Sequence, residues 1–161
     1  MTDSEVRLEP PVVDQVRQQV RDPAATWDRD YLAESLQASQ VEYFSIIADD
    51  ELVGEIFLHD IDVQRGDALV GYALFRPVHR GRGIGSEALS ELVAHVVTNT
   101  ELNKLVVITT ADNVASVRIA EKSGFVQVGA PREDPAGVCL IWRRGPRSSD
   151  GSDQRLDSLI T

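Results

Sequence analysis

Two rhythms of apolar positions run along this chain. Near-continuous or alternating apolar runs, rich in β-branched and aromatic residues, occur at 43–48 (YFSIIA), 52–58 (LVGEIFL), 68–75 (ALVGYALF), 104–110 (KLVVITT), 125–129 (FVQVG) and 138–143 (VCLIWR). They predict strands. The acidic triplet 49–51 joins the first two as a hairpin, and Pro77, lacking an amide hydrogen, ends the third. From 85 to 98, Ala88, Leu89, Leu92, Val93 and Val96 recur at helical spacing while Glu87 and Glu91 face away, which predicts an amphipathic helix. A shorter helix is expected over 114–123, stopped by Gly124. Ahead of these lie a short strand at 6–8 and two helical patterns, 12–21 on Val12, Val13, Val16 and Val20, and 27–38 on Trp27, Tyr31, Leu32 and Leu36. Strand, helix and strand from 68 to 110 imply a right-handed crossover between parallel neighbours.

The 161 residues suffice for one domain with a core, here taken as 1–144, and the polar Gly/Ser-rich stretch 145–161 reads as a flexible tail. A formal charge of −10 opposes a general nucleic-acid binder and favours cationic ligands. One cysteine, Cys139, excludes an internal disulfide, and three scattered histidines give no metal-ligand spacing. No signal pattern or membrane-length apolar run is present, so the expected location is cytoplasmic.

Against that acidic background, Arg76, Arg80 and Arg82 stand beside Gly81, Gly83 and Gly85, immediately before the main helix. Glycines let the backbone approach closely with positive φ, successive amides converge, and the helix N-terminus adds about half a positive charge, so the stretch suits a phosphate. It lacks the Lys-Ser/Thr ending of a P-loop, since Ser86 and Glu87 follow Gly85, and it lacks the dinucleotide G-x-G-x-x-G spacing. The other reading is a glycine-rich connection with solvated arginines.

The run Arg80-Gly81-Arg82-Gly83-Ile84-Gly85 resembles the R/Q-x-x-G-x-G/A loop of the GNAT N-acetyltransferase superfamily, which holds the pyrophosphate of acetyl-coenzyme A. Further along, DNVASVRIAEKSGF at 112–125 resembles the same superfamily's second motif, and the pattern S-x-R-x-x-E-K-x-G-F within it resembles the branch of ribosomal-protein N-terminal acetyltransferases. The resemblance covers about 6–143. It implies an α/β (α+β) fold: a mixed, mostly antiparallel sheet whose one parallel pair splays for acetyl-CoA, flanked by about four helices. It further implies that Leu74 and Phe75 bind the pantetheine arm through their backbone. Amides of Arg80, Gly81, Arg82, Gly83, Ile84 and Gly85 would hold the diphosphate, with Ser86 adding a hydroxyl. Asn113 would contact the pantetheine region and Lys122 the nucleotide end. No metal is expected.

Acetyl transfer from a thioester to an amine needs a neutral amine, oxyanion donors and a proton for the leaving thiolate. Many family members place a tyrosine seven residues after the asparagine; here that position is Ala120. Ser116 is the acid that the branch resemblance suggests, the other reading being a small residue at a tight helix contact. For the base, Glu55, His59 and Asp60 are candidates, and strand alternation groups Glu55 and His59 with Val53 and Phe57. The glutamate often found just before the Gly-Tyr of the third strand is absent, Leu69-Val70 preceding Gly71-Tyr72. A lysine amine near pKa 10.4 costs about 3 kcal/mol more to deprotonate at neutral pH than an α-amine near 8, so an α-amine or another amine of lowered pKa suits such a site. Tyr72 and Trp27 are candidates for lining the acceptor pocket, each also readable as packing. The function expected is an acetyl-CoA-dependent N-acetyltransferase acting on a cationic amine, a protein N-terminus or a small molecule, in a possible homodimer. The alternative is a non-catalytic acyl-CoA-binding module. A nucleic-acid binder using Arg76, Arg80, Arg82 and Arg118 conflicts with the net charge, and no membrane partner is expected.

Overall fold

The computed structural model describes residues 5–11, 40–131 and 135–145. Seven strands, β1 (Val6–Glu9), β2 (Glu42–Ala48), β3 (Glu51–Asp62), β4 (Asp67–Leu74), β5 (Lys104–Thr110), β6 (Val126–Gly129) and β7 (Gly137–Arg143), form one sheet in the order β1-β2-β3-β4-β5-β7-β6. All neighbours are antiparallel except β4 and β5. Two α-helices, α1 (Ile84–Asn99) and α2 (Val114–Lys122), and a 3-10 turn (Pro77–His79) occur among the described residues. Two of the about four expected helices are therefore seen, and the expectations at 12–21 and 27–38, with Trp27, lie outside the described residues. The expected tail at 145–161 does so too, apart from Gly145.

Local chemistry accounts for the elements. Asp49 and Asp50 both take positive φ, 51° and 64°, the turn whose twist matches flanking antiparallel strands. β3 runs on to Asp62, past the expected end at 58, because a bulge at Asp60 (φ 49°) absorbs the irregularity and Asp62 closes the following turn. The Asp62 carboxylate accepts from the Arg65 amide and guanidinium and from the Gln64 amide, and these bonds, the Arg65 amide foremost, hold its pKa below the usual range. A second bulge corrects the expected face pattern: the β2–β3 register slips between Ile46 and Ile47, Val53 has no opposite partner, and it packs in the main core rather than beside Glu55.

That core lies between the sheet and α1. Ile84, Ala88, Leu89, Leu92 and Val96 are buried against Ile46, Ile56, Leu58, Leu105 and Val107. Val106, between two of these, points to the opposite face and packs with Cys139 and Ile141. The C-terminal end of α1 is closed by Arg144, whose guanidinium donates to the carbonyls of Val96, Val97, Thr100 and Leu102.

The parallel pair carries the consequence for function. Pairing starts at Asp67↔Lys104, where the two buried side chains approach to 3.8 Å, and stops at Val70↔Val107. Beyond that point β4 bonds only to β3 and β5 only to β7, so the strands part at their C-terminal ends, as expected.

Candidate active site

A cleft of about 630 Å³ opens where β4 and β5 part, bounded by the glycine loop and the exposed face of α2. Gly81 and Gly83 have φ of 75° and 79°, and a Cβ on either would meet nothing within 4 Å. The loop's backbone is therefore open to a ligand. Gly83 caps α1 without a capping side chain, and the first amides of the helix, Ile84, Gly85 and Ser86, have no intrahelical acceptor. Gly85 serves packing instead: a Cβ there would stand 2.8 Å from Ile119 Cδ1, so its absence lets α1 and α2 approach. Arg80, Arg118 and Lys122 line the cleft, and no carboxylate does so among the described residues. In a chain of net charge −10 this is a locally cationic pocket aimed at an anion.

Most of the site expected from sequence converges here. Tyr72, Leu74, Arg80, Gly81, Gly83, Ile84, Gly85, Ser86, Asn113, Ser116 and Lys122 all line the cleft. Asn113 is also the N-cap of α2, its Oδ1 accepting from the Ser116 amide at 3.2 Å. Three described residues behave otherwise: Phe75, Arg82 and Glu55. The Phe75 amide is spent on β3, donating to the Val53 carbonyl at 2.9 Å, which leaves Leu74, next in the alternation, to turn its backbone groups to the gap. Arg82 directs its guanidinium to Asp49, 3.6 Å away at the β2–β3 turn, and does not line the cleft.

Two further cleft residues had no such role in the sequence reading. Arg118, one turn along α2 from Val114, was legible only as a surface cation. His79 is buried, and neither ring nitrogen has a hydrogen-bond partner; the Glu51 carboxylate lies 3.9 Å from Nε2.

Tyr72 and Ser116 are brought together across the cleft. The phenol donates to the Ser116 carbonyl at 2.9 Å and lies 2.8 Å from Ser116 Oγ. Burial raises the Tyr72 pKa, with the Ser116 contact opposing it.

Glu55 is not part of the cleft wall. It is 1% exposed, accepts a hydrogen bond from the Tyr43 hydroxyl, and has its pKa pushed up to about 7 by desolvation. Its cross-strand partner Ala73 does line the cleft, and Ser45, its partner on the other side, has a buried hydroxyl without a hydrogen bond. His59 pairs with Asp60 at 2.7 Å, away from this pocket.

The sequence profile of the acetyltransferase (GNAT) domain matches residues 2–126. The ribosomal-protein-serine acetyltransferase of Escherichia coli (strain K12) is 33% identical over 97 residues, 60% of this chain and 54% of that protein. The probable N-acetyltransferase YjcK of Bacillus subtilis (strain 168) is 31% identical over 106 residues, 63% of this chain and 57% of its own length. The chain thus spans about half the length of the curated relatives it matches. Among solved structures, RimL, a ribosomal alpha-N-protein acetyltransferase in complex with coenzyme A, superposes with a TM-score of 0.70 at 20% identity, over 89% of this chain and 95% of that one. The aminoglycoside acetyltransferase AAC(6')-Ib in complex with coenzyme A gives 0.72 at 17% identity, over 87% and 95%. At such identities the likeness is one of fold.

Proposed function

This chain belongs to the GNAT acetyltransferase family, and we propose that it transfers an acetyl group from acetyl-CoA to a primary amine of a cationic acceptor, a protein N-terminus or a small molecule. The observation that carries this reading is the cleft: three cations and no carboxylate among its described lining residues, running from a positive-φ glycine loop to the point where two parallel strands part. Amides of the loop and of the first turn of α1 hold the diphosphate, with Arg80 and Lys122 supplying countercharge. The Leu74 backbone and Asn113 hold the pantetheine arm, which carries the thioester toward Tyr72 and Ser116. The donor contributes an activated acyl group. The protein contributes alignment and the handling of two protons.

Glu55 is the base in this reading, because a carboxyl titrating near 7 is poised to take a proton from an ammonium group of modest pKa. The acceptor meets the thioester beside Ala73 and Tyr72, which both line the cleft. A buried base of this strength matches an α-amine better than an unperturbed lysine amine. The same reading assigns the reaction to the cytoplasm.

The test is isothermal calorimetry with acetyl-CoA on the wild type and on Gly83→Glu, followed by turnover over a panel of amines that includes peptides with free N-termini. Binding that weakens by at least about tenfold in the variant, a loss of about 1.4 kcal/mol, with transfer to one class of amine, supports the reading. Binding without transfer to any amine supports the non-catalytic module. No binding to the wild type refutes both.

A further inference from the structure

Tyr72 and Ser116 reach each other from different elements, β4 and the first turn of α2, and the phenol has one proton for two oxygens. The Ser116 carbonyl, 2.9 Å away, can only accept; Ser116 Oγ, at 2.8 Å, can do either. With the phenolic proton on the carbonyl, the serine hydroxyl donates into the phenol's lone pair, and the pair closes on itself. When the phenolic O–H swings to Oγ instead, the serine proton is released toward the cleft. Only hydrogens move in this exchange.

The pair also stands at one end of the cleft. Tyr72 is two residues beyond Val70, the last β4 residue paired with β5, whereas the glycine loop and Lys122 mark the anion-binding end. If the diphosphate sits at the loop, the thioester at the far end of the pantetheine arm comes to Tyr72 and Ser116. Ala120, where many relatives carry an acidic tyrosine, is wholly buried in the core, and a phenol on that Cβ would overpack it.

We propose that Tyr72 is the proton source for the departing thiolate and that Ser116 Oγ is the conduit, a relay that supplies from the strand the hydroxyl missing at Ala120. The inference rests on the acetyl-transfer reading above. As the amine nitrogen bonds to the acetyl carbon, the C–S bond breaks and its electron pair goes to sulfur. Ser116 Oγ gives its proton to that sulfur and takes the phenolic proton of Tyr72; the phenolate regains a proton from solvent as product leaves. The proton lost by the amine goes separately to the base. Acidity orders the roles, because a serine acting alone must become an alkoxide, and an aliphatic hydroxyl is a far weaker acid than a phenol. A phenol, even one raised by burial as Tyr72 is, lies much closer to a thiol than a serine hydroxyl does. Burial keeps Tyr72 protonated across the working pH range, so the donor is always loaded.

Tyr72→Phe keeps the ring and removes the source, and Ser116→Ala removes the conduit. The first readout needs no acceptor: the thiol of bound coenzyme A is titrated through its thiolate ultraviolet absorbance, and its pKa rises by about one unit in Ser116→Ala, where the hydrogen bond to the thiolate is lost, and by less in Tyr72→Phe, where the serine still donates. The second is turnover with two acyl donors. With acetyl-CoA, kcat falls about 100-fold while KM stays within about threefold. With a thioester of an acidic aryl thiol, which leaves without a proton, the loss stays below about threefold. The double variant is no slower than the slower single one, as steps in series require. An unchanged thiol pKa in Ser116→Ala, or equal losses with both donors, overturns the relay. A wild type that acetylates no amine yet shows the thiol shift supports the contact with sulfur and sinks the transfer reading instead.

Discussion

Glu55 ties stability, pH and activity together in one side chain. Its carboxyl is raised from 4.5 to about 7 by desolvation, so the folded protein binds this proton more tightly than the unfolded chain does. The sign follows from that. Below pH 4.5 the group is protonated in both states and adds no penalty; as pH rises through 4.5 to 7 the unfolded chain ionises first and stability falls; above 7 the full penalty is present. The shift of about 2.5 units corresponds to about 3 kcal/mol. Glu55→Gln stays neutral at every pH, keeps an acceptor for the Tyr43 hydroxyl, and offers its amide to the unpartnered Ser45 hydroxyl across the ladder. The expected stability difference, variant minus wild type, is therefore near zero at pH 4.5 and grows to about 3 kcal/mol in favour of the variant at pH 8, or roughly 5–10 °C in Tm. Urea denaturation of both proteins at pH 4.5, 6 and 8 measures it, and comparing variants removes the contribution of every other titrating group. A difference that stays flat with pH, or that turns against the variant as pH rises, would refute the argument from desolvation. The same substitution should lower kcat/KM by about 100-fold and abolish an activity limb with an apparent pKa near 7. Stability rising as activity falls is what a buried base predicts.

Other perturbations test separate parts of the molecule. Arg144→Ala strips four carbonyls at the end of α1 of a charged donor and should cost about 2–3 kcal/mol in chemical denaturation, without changing affinity for acetyl-CoA. Gly83→Ala places a side chain at φ 79° and should cost about 1–2 kcal/mol, with acetyl-CoA affinity reduced as well. His79→Phe removes two buried nitrogens that lack partners, so its Tm should match or exceed that of the wild type; a fall of several degrees would show that the imidazole has a partner after all. Arg118→Ala should weaken acetyl-CoA binding by several-fold and flatten its dependence on salt, measured by calorimetry at two ionic strengths.

Much of the site is local along the chain, and the sequence by itself determined that part. The loop from Arg80 to Gly85 and the helix after it are legible as a unit, because positive φ, converging amides and a helix N-terminus are all properties of neighbouring residues. Asn113 capping α2, the β-rich runs and the α1 stripe are legible for the same reason. Residue alternation was a sound guide until a bulge interrupted it: nothing near Val53 announces that β2 and β3 slip there, since a register shift depends on both strands. Ser116 and Tyr72 each drew notice alone, as acid and as pocket wall, but 44 residues of sequence separate them and only the folding of α2 over the end of β4 sets their hydroxyls 2.8 Å apart. Tertiary structure likewise decided that Arg82 turns to Asp49 while Arg118 turns to the cleft, that His79 is buried, and that Glu55 titrates near 7. Charge and hydroxyl chemistry are carried by residue type, whereas burial, distance and pKa are properties of what the rest of the chain packs around them.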